Sequence, residues 1–155
     1  MIQFEINGVP IAWKRPGRNN KTGAVYDQQK LQKDQLRWYL RSKFRENPIR
    51  SPVEVWLSFY FPMPKGASGA RKRDMLNGVL HHMSRPDVDN LAKFYLDVMT
   101  GAIYEDDRQV CRMRTEKLYA TEPYTLIEII PKNCDLLKQQ EIKESNNDED
   151  DPRDA

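Results

Sequence analysis

One segment constrains the fold of this chain more than any other, because apolar side chains recur in it strictly at every second position. The apolar members of the segment are Val53, Val55, Leu57, Phe59 and Phe61. Successive side chains of a strand point to opposite faces, so this period of two predicts a β-strand over 53–61. With 155 residues, of which 39% are apolar, the chain has material for one domain around that strand.

Weaker alternation predicts three more strands. The first covers residues 2–6 and ends in a turn that contains Gly8 and Pro10. The other two cover 108–120 and 124–130. The short stretch between these two contains a proline, which is typical of a turn.

Spacings of three and four residues between apolar side chains predict three helices. The first is capped by Asp27 and runs to about Phe44, and a short second helix covers 70–80. The third covers about 90–100, with Asp89 as its cap. Helices and strands do not alternate regularly, which predicts an α+β fold with a small mixed sheet of about four or more strands and two to three packed helices.

The charge is divided unevenly along the chain. From Glu141 to Ala155, seven acidic residues stand against two basic ones, which gives a net charge of −5, and residues 1–140 carry +7. We therefore predict a folded domain over 1–133 and an acidic, disordered tail over 134–155. A basic domain favours polyanionic partners such as nucleic acid, although basic domains are common and charge alone leaves the matter at even odds.

Several classes of protein are excluded by composition. No apolar run approaches the length of about 18 residues that a membrane span needs, and the first residues lack the apolar core of a signal peptide. Cys111 and Cys134 stand apart, without CxxC spacing, which argues against a disulfide framework or a zinc cluster. We expect a cytoplasmic protein with no membrane partner and no small-molecule cofactor.

Two acidic clusters flank the third predicted helix, at 85–90 and 104–107. Asp87 and Asp89 lie two positions apart in a stretch that Pro86 predicts to be extended. At that spacing both carboxylates project to the same side and can share a hard divalent cation. No Gly-rich phosphate loop and no setting for a nucleophilic serine or cysteine is present, so acidic metal chemistry is the remaining catalytic candidate.

The second cluster can return to the first across the helix. The helix carries the chain some 16 Å away, and the six residues 101–106 can span about 20 Å when extended. Asp107 can therefore face Asp87 and Asp89, and Mg²⁺ would relieve the repulsion among three carboxylates. An EF-hand is excluded, because Ala92 and Val98 occupy the positions that need Gly and Glu.

Lys93 lies four residues after Asp89 on the same helical face, where its charge can stabilise a phosphorane-like transition state. Plainer interpretations remain open. Asp89 is equally an N-cap, Lys93 an ordinary i,i+4 partner, and Asp106 with Asp107 a solvated turn. The adjacent histidines at 81–82 can be general bases or metal ligands, but a polar setting favours a surface position.

Three ordered motifs carry a family resemblance. Residues 85–93 read RPDVDNLAK, residues 96–101 read LDVMTG and residues 104–110 read YEDDRQV. With the opening segment GVPIAWKRP at 8–16, they resemble the RusA family of Holliday junction resolvases. That family has the signature (K/R)PDxDNLxK…LDxxxG…YxDDxQ(I/V) after a GxPxxKxRPR opening, so the resemblance covers about residues 1–130.

The resemblance implies a homodimeric, Mg²⁺-dependent endonuclease of bacteria or their phages, with Mn²⁺ as an alternative cation, that cuts four-way junction DNA at paired positions in recombination and repair. By position, it implies that Asp87, Asp89 and Asp107 are the catalytic metal ligands and that Lys93 is the essential lysine. Asp106 matches the neighbouring acid of the metal site. Arg85 stands where many members have lysine, a mild change at a phosphate contact.

A junction nuclease also needs cations that contact the DNA backbone. The candidates are Lys14, Arg15, Arg18, Lys65, Arg71, Lys72, Arg73 and Arg85. Two alternatives to a junction resolvase remain at this point. One is a non-catalytic nucleic-acid-binding module whose acids are only caps and turns, and the other is a broader nuclease of branched or flap DNA.

Overall fold

Four strands of the chain form one mixed sheet. The structure is a computed structural model, and it describes residues 1–132. The elements in chain order are β1 (Ile2–Asn7), β2 (Gly17–Arg18), β3 (Val25–Tyr26), α1 (Lys30–Lys43), β4 (Val53–Pro62), α2 (Gly69–Leu76), α3 (Val88–Met99), β5 (Val110–Ala120) and β6 (Tyr124–Pro131). A short 3-10 helix, Asp107–Gln109, precedes β5. The predicted tail over 134–155, with Cys134, lies outside the described residues.

The sheet has the strand order β1-β6-β4-β5. β6 pairs antiparallel with both β1 and β4, while β4 and β5 run parallel and are joined through α2 and α3. The parallel pair requires such a long crossover connection. β5 and β6 follow each other in sequence but do not form a hairpin, because β4 lies between them. The predicted α+β class, with a four-stranded mixed sheet and three helices, is confirmed.

The core lies on one face of this sheet. The alternating apolar residues of β4 pack there against α1 and α3, as the period of two predicted, while the other side chains of β4 line the opposite face. The largest fully buried apolar side chains of the core are Tyr95, Tyr104, Phe59, Phe94, Leu40, Leu57, Leu91, Met99, Ile103, Ile127 and Ile129.

Both predicted helix caps are wrong by two residues. The N-cap of α1 is Gln29, and Asp27 instead accepts a hydrogen bond from the Gln29 N–H at 2.8 Å. The N-cap of α3 is Asp87, so Asp89 belongs to the first helical turn. In α3 the Leu91 N–H donates to the Asp87 carbonyl at 3.1 Å, so the first helical hydrogen bond already begins at Asp87. Asp87 and Asp89 are therefore not neighbours along an extended chain.

The basic segment after β1 is more ordered than its composition predicts. Residues 17–26 contain a small antiparallel ladder, β2 with β3, instead of a plain loop. Gly17 permits it, because an added Cβ would lie 2.5 Å from the ring of Tyr26. At the end of α3, Gly101 has a φ of +76°, the left-handed conformation that stops helices.

Within residues 1–132, the helices are too short or too polar for any of them to cross a lipid bilayer.

Candidate functional site

The helix α3 presents two different faces. Its apolar residues, among them Leu91, Tyr95 and Val98, point into the core. Asp89 and Lys93 are four residues apart and both are exposed. The packing of the apolar stripe thus fixes the direction in which the candidate acid and the candidate lysine project.

Asp87 and Asp89 line one surface cleft at the start of α3, which we name the Asp87 cleft. Its other lining residues are His81, His82, Val88, Thr115, Glu116 and Lys117. Asp87 makes no side-chain capping hydrogen bond, and neither aspartate forms an ion pair among the described residues. The amino-terminal end of a helix carries positive potential, which favours both carboxylates at this place. The result is a pair of exposed carboxylates with free oxygen atoms.

The loop that leads into Asp87 is fastened to the edge of the sheet by Lys117. The Lys117 ammonium donates hydrogen bonds to the backbone carbonyls of Ser84 at 2.6 Å and Pro86 at 2.8 Å. Lys117 lies on the core-facing side of β5, opposite Phe59 of β4. A lysine at a core-facing strand position was the sequence signal for this contact, and sequence reasoning missed it.

The two histidines of the Asp87 cleft differ from each other. His81 is exposed, as the sequence predicted, but His82 is half-buried and stacks on Phe61 at a centroid distance of 4.1 Å. Burial, together with the charge of Lys117, lowers the pKa of His82. Its Nδ1 has no hydrogen-bond partner among the described residues.

Lys93 contacts an aromatic ring instead of an acid. Its ammonium lies 3.6 Å from the centroid of the Trp13 ring, which is a cation–π geometry. Lys93 forms no ion pair with Asp89 or any other acid of the described residues. The interpretation of Lys93 as an ordinary i,i+4 partner of Asp89 is therefore not supported.

Asp107 lies in a different cleft, which we name the Asp107 cleft. It is lined by Asp27, Lys30, Lys33, Asp34, Arg37, Asp97, Thr100, Asp106 and Asp107. Lys33 forms ion pairs there with Asp27 at 2.9 Å and Asp97 at 3.2 Å, and only 12% of its side chain is exposed. Burial by itself would lower the pKa of Lys33, but its hydrogen bonds to the two carboxylates outweigh this and raise it.

Sequence reasoning also missed Lys33. The signal was its position on the apolar stripe of α1, three residues before Leu36 and seven before Leu40.

The two acids after α3 play different parts. Asp106 is the N-cap of the 3-10 helix, and both of its carboxylate oxygens accept hydrogen bonds from the Arg108 guanidinium at 2.9 Å. These bonds and the Arg108 N–H lower the pKa of Asp106 to about 2. Asp107 is exposed and forms no ion pair among the described residues. Asp106 is therefore already engaged, whereas the Asp107 carboxylate is free.

One subunit does not bring Asp107 to Asp87 and Asp89. Asp97, in the Asp107 cleft, lies ~12 Å along the helix axis from Asp89, and the Lys117 anchor of the Asp87 loop lies ~23 Å along β5 from Val110. In residues 1–132 no three side chains of His, Cys, Asp or Glu are close enough to hold a metal ion together. The expectation that the three aspartates face each other is not met within a single chain.

The candidate DNA contacts are spread over several elements. Lys14 and Arg85 share a further cleft with Trp13, Asp87 and Asn90. Of the remaining candidates, Lys72 is half-buried and the rest are exposed. They lie before or on β2, in the loop after β4 and on α2: Arg15, Arg18, Lys65, Arg71, Lys72 and Arg73. The structure thus places two of the eight cations in the same cleft as Asp87.

Comparison with known proteins gives two findings. The chain matches the family model of endodeoxyribonuclease RusA over residues 7–130. It is also 33% identical, over 128 residues, to the uncharacterized protein YqaN of Bacillus subtilis (strain 168), with 79% of this chain and 90% of that protein covered. The range that matches the family contains both clefts and all four residues to which the sequence assigned catalytic roles: Asp87, Asp89, Lys93 and Asp107.

Proposed function

The chain belongs to the RusA endodeoxyribonuclease family, and from this premise we propose that it is a Mg²⁺-dependent endonuclease that resolves four-way DNA junctions by paired, symmetric nicks. One observation supports the catalytic part most directly. Asp87 and Asp89 are exposed carboxylates that form no ion pair among residues 1–132, and Asp87 shares a cleft with Arg85 and Lys14. Structural carboxylates of this chain, such as Asp106, are instead occupied by basic groups.

The donor set fits the cation. Mg²⁺ prefers carboxylate oxygens, keeps several water ligands and completes its shell with phosphate oxygens, so it needs few protein ligands. Asp87 and Asp89 would hold it, with Asp107 as the third carboxylate. When bound, the cation supplies positive charge that stabilises the pentacoordinate phosphate and makes water a better nucleophile.

The residues of the chain itself bind and orient the DNA. Lys14 and Arg85, which share a cleft with Asp87, contact the phosphates that flank the cut, and the other basic residues contact the backbone farther away. Lys93 stabilises the charge that develops on the phosphate oxygens. Asp106 holds the turn that presents Asp107, because its own oxygens are bound by Arg108.

A second subunit supplies the missing carboxylate in this proposal. A four-way junction has two symmetric cutting positions, which a C2 dimer with two identical sites matches. Within one chain Asp107 lies beyond reach of the aspartate pair, so Asp107 of the partner subunit completes each site.

The edge of the sheet gives this arrangement a structural basis. β5 is an edge strand whose residues 111–114 are exposed. Asp107 precedes one end of β5, and the loop of Asp87 is bound by Lys117 near the other end. A partner related by a two-fold axis at this edge runs in the opposite direction, so that its Asp107 lies at the aspartate pair.

The test of the activity is cleavage of a synthetic mobile four-way junction with and without Mg²⁺, with the nicks mapped on all strands. We expect paired nicks at symmetric positions in opposing strands, only with the cation. Equal rates on flaps, plain duplex and junctions would favour the broader branched-DNA nuclease. Tight junction binding without any cutting would favour the non-catalytic binding module.

The shared site has a separate test that uses mixed dimers of Asp89→Asn and Asp107→Asn chains. Each variant alone has no intact site. If the third carboxylate comes from the partner, a mixed dimer regains one complete site, and an equimolar mixture regains roughly a quarter of the wild-type sites. If all three aspartates act within one chain, the mixture stays inactive, and the shared site is refuted.

A further inference from the structure

The contact between Lys93 and Trp13 brings together two residues that are far apart in sequence. The Lys93 ammonium lies 3.6 Å from the centroid of the indole ring, close enough for a strong cation–π interaction. Trp13 is half-buried and packs against the core, whereas Lys93 is exposed. A rigid, anchored ring therefore holds the end of a long, flexible side chain.

The backbone of Trp13 is fixed on both sides. Its N–H donates to the Asn90 carbonyl at 2.8 Å, which ties it to the first turns of α3. The side-chain amide of Gln29 binds the residues on either side of Trp13. Its Oε1 accepts a hydrogen bond from the Lys14 N–H at 2.7 Å, and its Nε2 donates one to the Ala12 carbonyl at 2.9 Å. Gln29 is only 1% exposed, so this clamp is shielded from water.

An aromatic ring holds an ammonium differently from an acid. A carboxylate would neutralise Lys93 and occupy its N–H donors, and it would compete with a phosphate for the same cation. The ring attracts the ammonium through its quadrupole and leaves the full charge in place. Among residues 1–132, Lys93 has no acidic partner that could take over this role.

We propose that Trp13 is a positioning residue that holds the Lys93 ammonium, still charged and free to donate hydrogen bonds, next to the phosphodiester that is cut. This inference rests on the proposed function, because it assumes that Lys93 acts on the phosphate. Gln29 serves the same end indirectly, through the backbone of Trp13.

The first experiment compares Trp13→Leu and Trp13→Phe with the wild type in single-turnover junction cleavage. A cation–π contact of ordinary strength predicts that Trp13→Leu slows the cleavage step about 3- to 30-fold with unchanged junction Kd, while Trp13→Phe, which keeps an aromatic face, loses less. Trp38→Leu is the matched control, since Trp38 is 74% exposed on α1. Circular dichroism verifies the fold, and Trp13→Phe keeps the test valid if the leucine variant does not fold.

The second experiment separates positioning from a general structural role. In a Lys93→Ala background, Trp13→Leu should add nothing to the loss of rate, because the group that it positions is gone. In the NMR spectrum without DNA, the Hε protons of Lys93 should show an upfield ring-current shift that Trp13→Leu abolishes. An equal slowing in both backgrounds, or the absence of that shift, would overturn the inference.

The two readouts also separate this inference from the proposed function. The wild-type protein could show the ring-current shift and yet fail to cut junctions with Mg²⁺. That result would refute the proposed function and, with it, a role of the Lys93–Trp13 contact in catalysis. Wild type that cuts junctions, while Trp13→Leu cuts equally fast, refutes this inference alone.

Discussion

The carboxylates at the two ends of α3 differ in whether basic side chains pair with them. At the first turn, Asp87 and Asp89 are exposed and form no ion pair within residues 1–132. At the last turn, Asp97 is paired with Lys33, and Asp106 in the same cleft is bound by Arg108. The sequence presents similar acidic clusters at both ends, so their difference arises only from what the fold packs against them.

On the proposed function, this difference separates acids that stabilise the fold from acids that would bind the cation. A paired carboxylate has its lone pairs and its charge satisfied, and it gains little from a cation. Two adjacent unpaired carboxylates repel each other, and a divalent cation removes that cost. Asp107 is the exception in the Asp107 cleft, since it lies beside paired acids but forms no ion pair among residues 1–132, as a ligand donated to a partner would.

The largest effect is expected from neutralising an acid at the first turn. Asp89→Asn should reduce Mg²⁺-dependent cleavage by on the order of 10³-fold while junction binding is largely retained, because it removes a cation ligand but no basic residue. Single-turnover cleavage and a binding titration measure the two effects. Glu5→Gln, an exposed acid on the opposite edge strand, is the matched control. Wild-type cutting by Asp89→Asn would refute the catalytic reading of this end of α3.

The next largest effect is expected from removing the hydrogen bonds of Lys117 to the loop before Asp87. Lys117→Met removes both hydrogen bonds to the loop before Asp87, and the Mg²⁺ concentration for half-maximal cleavage should rise about 10- to 100-fold, as for other groups that orient metal ligands. A magnesium titration of the cleavage rate measures this. Lys43→Met on α1 controls for the lost charge. An unchanged titration curve would mean that the loop keeps its shape without Lys117.

At the other end of the helix the expected effect is on stability. Lys33→Met removes both ion pairs of a side chain that is only 12% exposed, but Asp27 and Asp97 stay partly solvated, so the free energy of unfolding should fall by about 1 kcal/mol. Asp89→Asn, at the unpaired end, should change it by less than about 0.5 kcal/mol. Urea unfolding measures both variants. Equal destabilisation by Lys33→Met and Asp89→Asn would contradict the difference in ion pairing between the two ends of α3.

The smallest expected effect concerns acid pH. Asp106 has a pKa of about 2 in the folded protein, because Arg108 binds its carboxylate, against 3.8 for the free group. As pH falls from about 4 to about 2, the unfolded chain takes up this proton first, so the stabilisation present above pH 4 is lost. The difference in unfolding free energy between wild type and Asp106→Asn should shrink over that window. A constant difference would show that Arg108 does not stabilise the charged form.

Local patterns predicted the elements but not all of their boundaries. The alternation over 53–61 identified β4, and the apolar stripe of α3 identified a helix that the structure confirms. The caps at Asp27 and Asp89 were placed wrongly, because each helix is preceded by several polar residues and their spacing along the chain does not choose among them. The β2–β3 ladder was missed because each of its strands has only two residues, too few to show a period.

By itself, the sequence determined the fold class, the family and the set of candidate acidic and basic residues, since periodicity and ordered motifs are local properties. The tertiary structure alone decided which of these residues meet. Lys33 pairs with Asp97 across 64 positions, Trp13 lies under Lys93, and Asp107 lies apart from Asp87 and Asp89. Pairing depends on the packing of distant segments, and a spacing along the chain gives only the reach of a residue, not the direction in which the folded chain turns it.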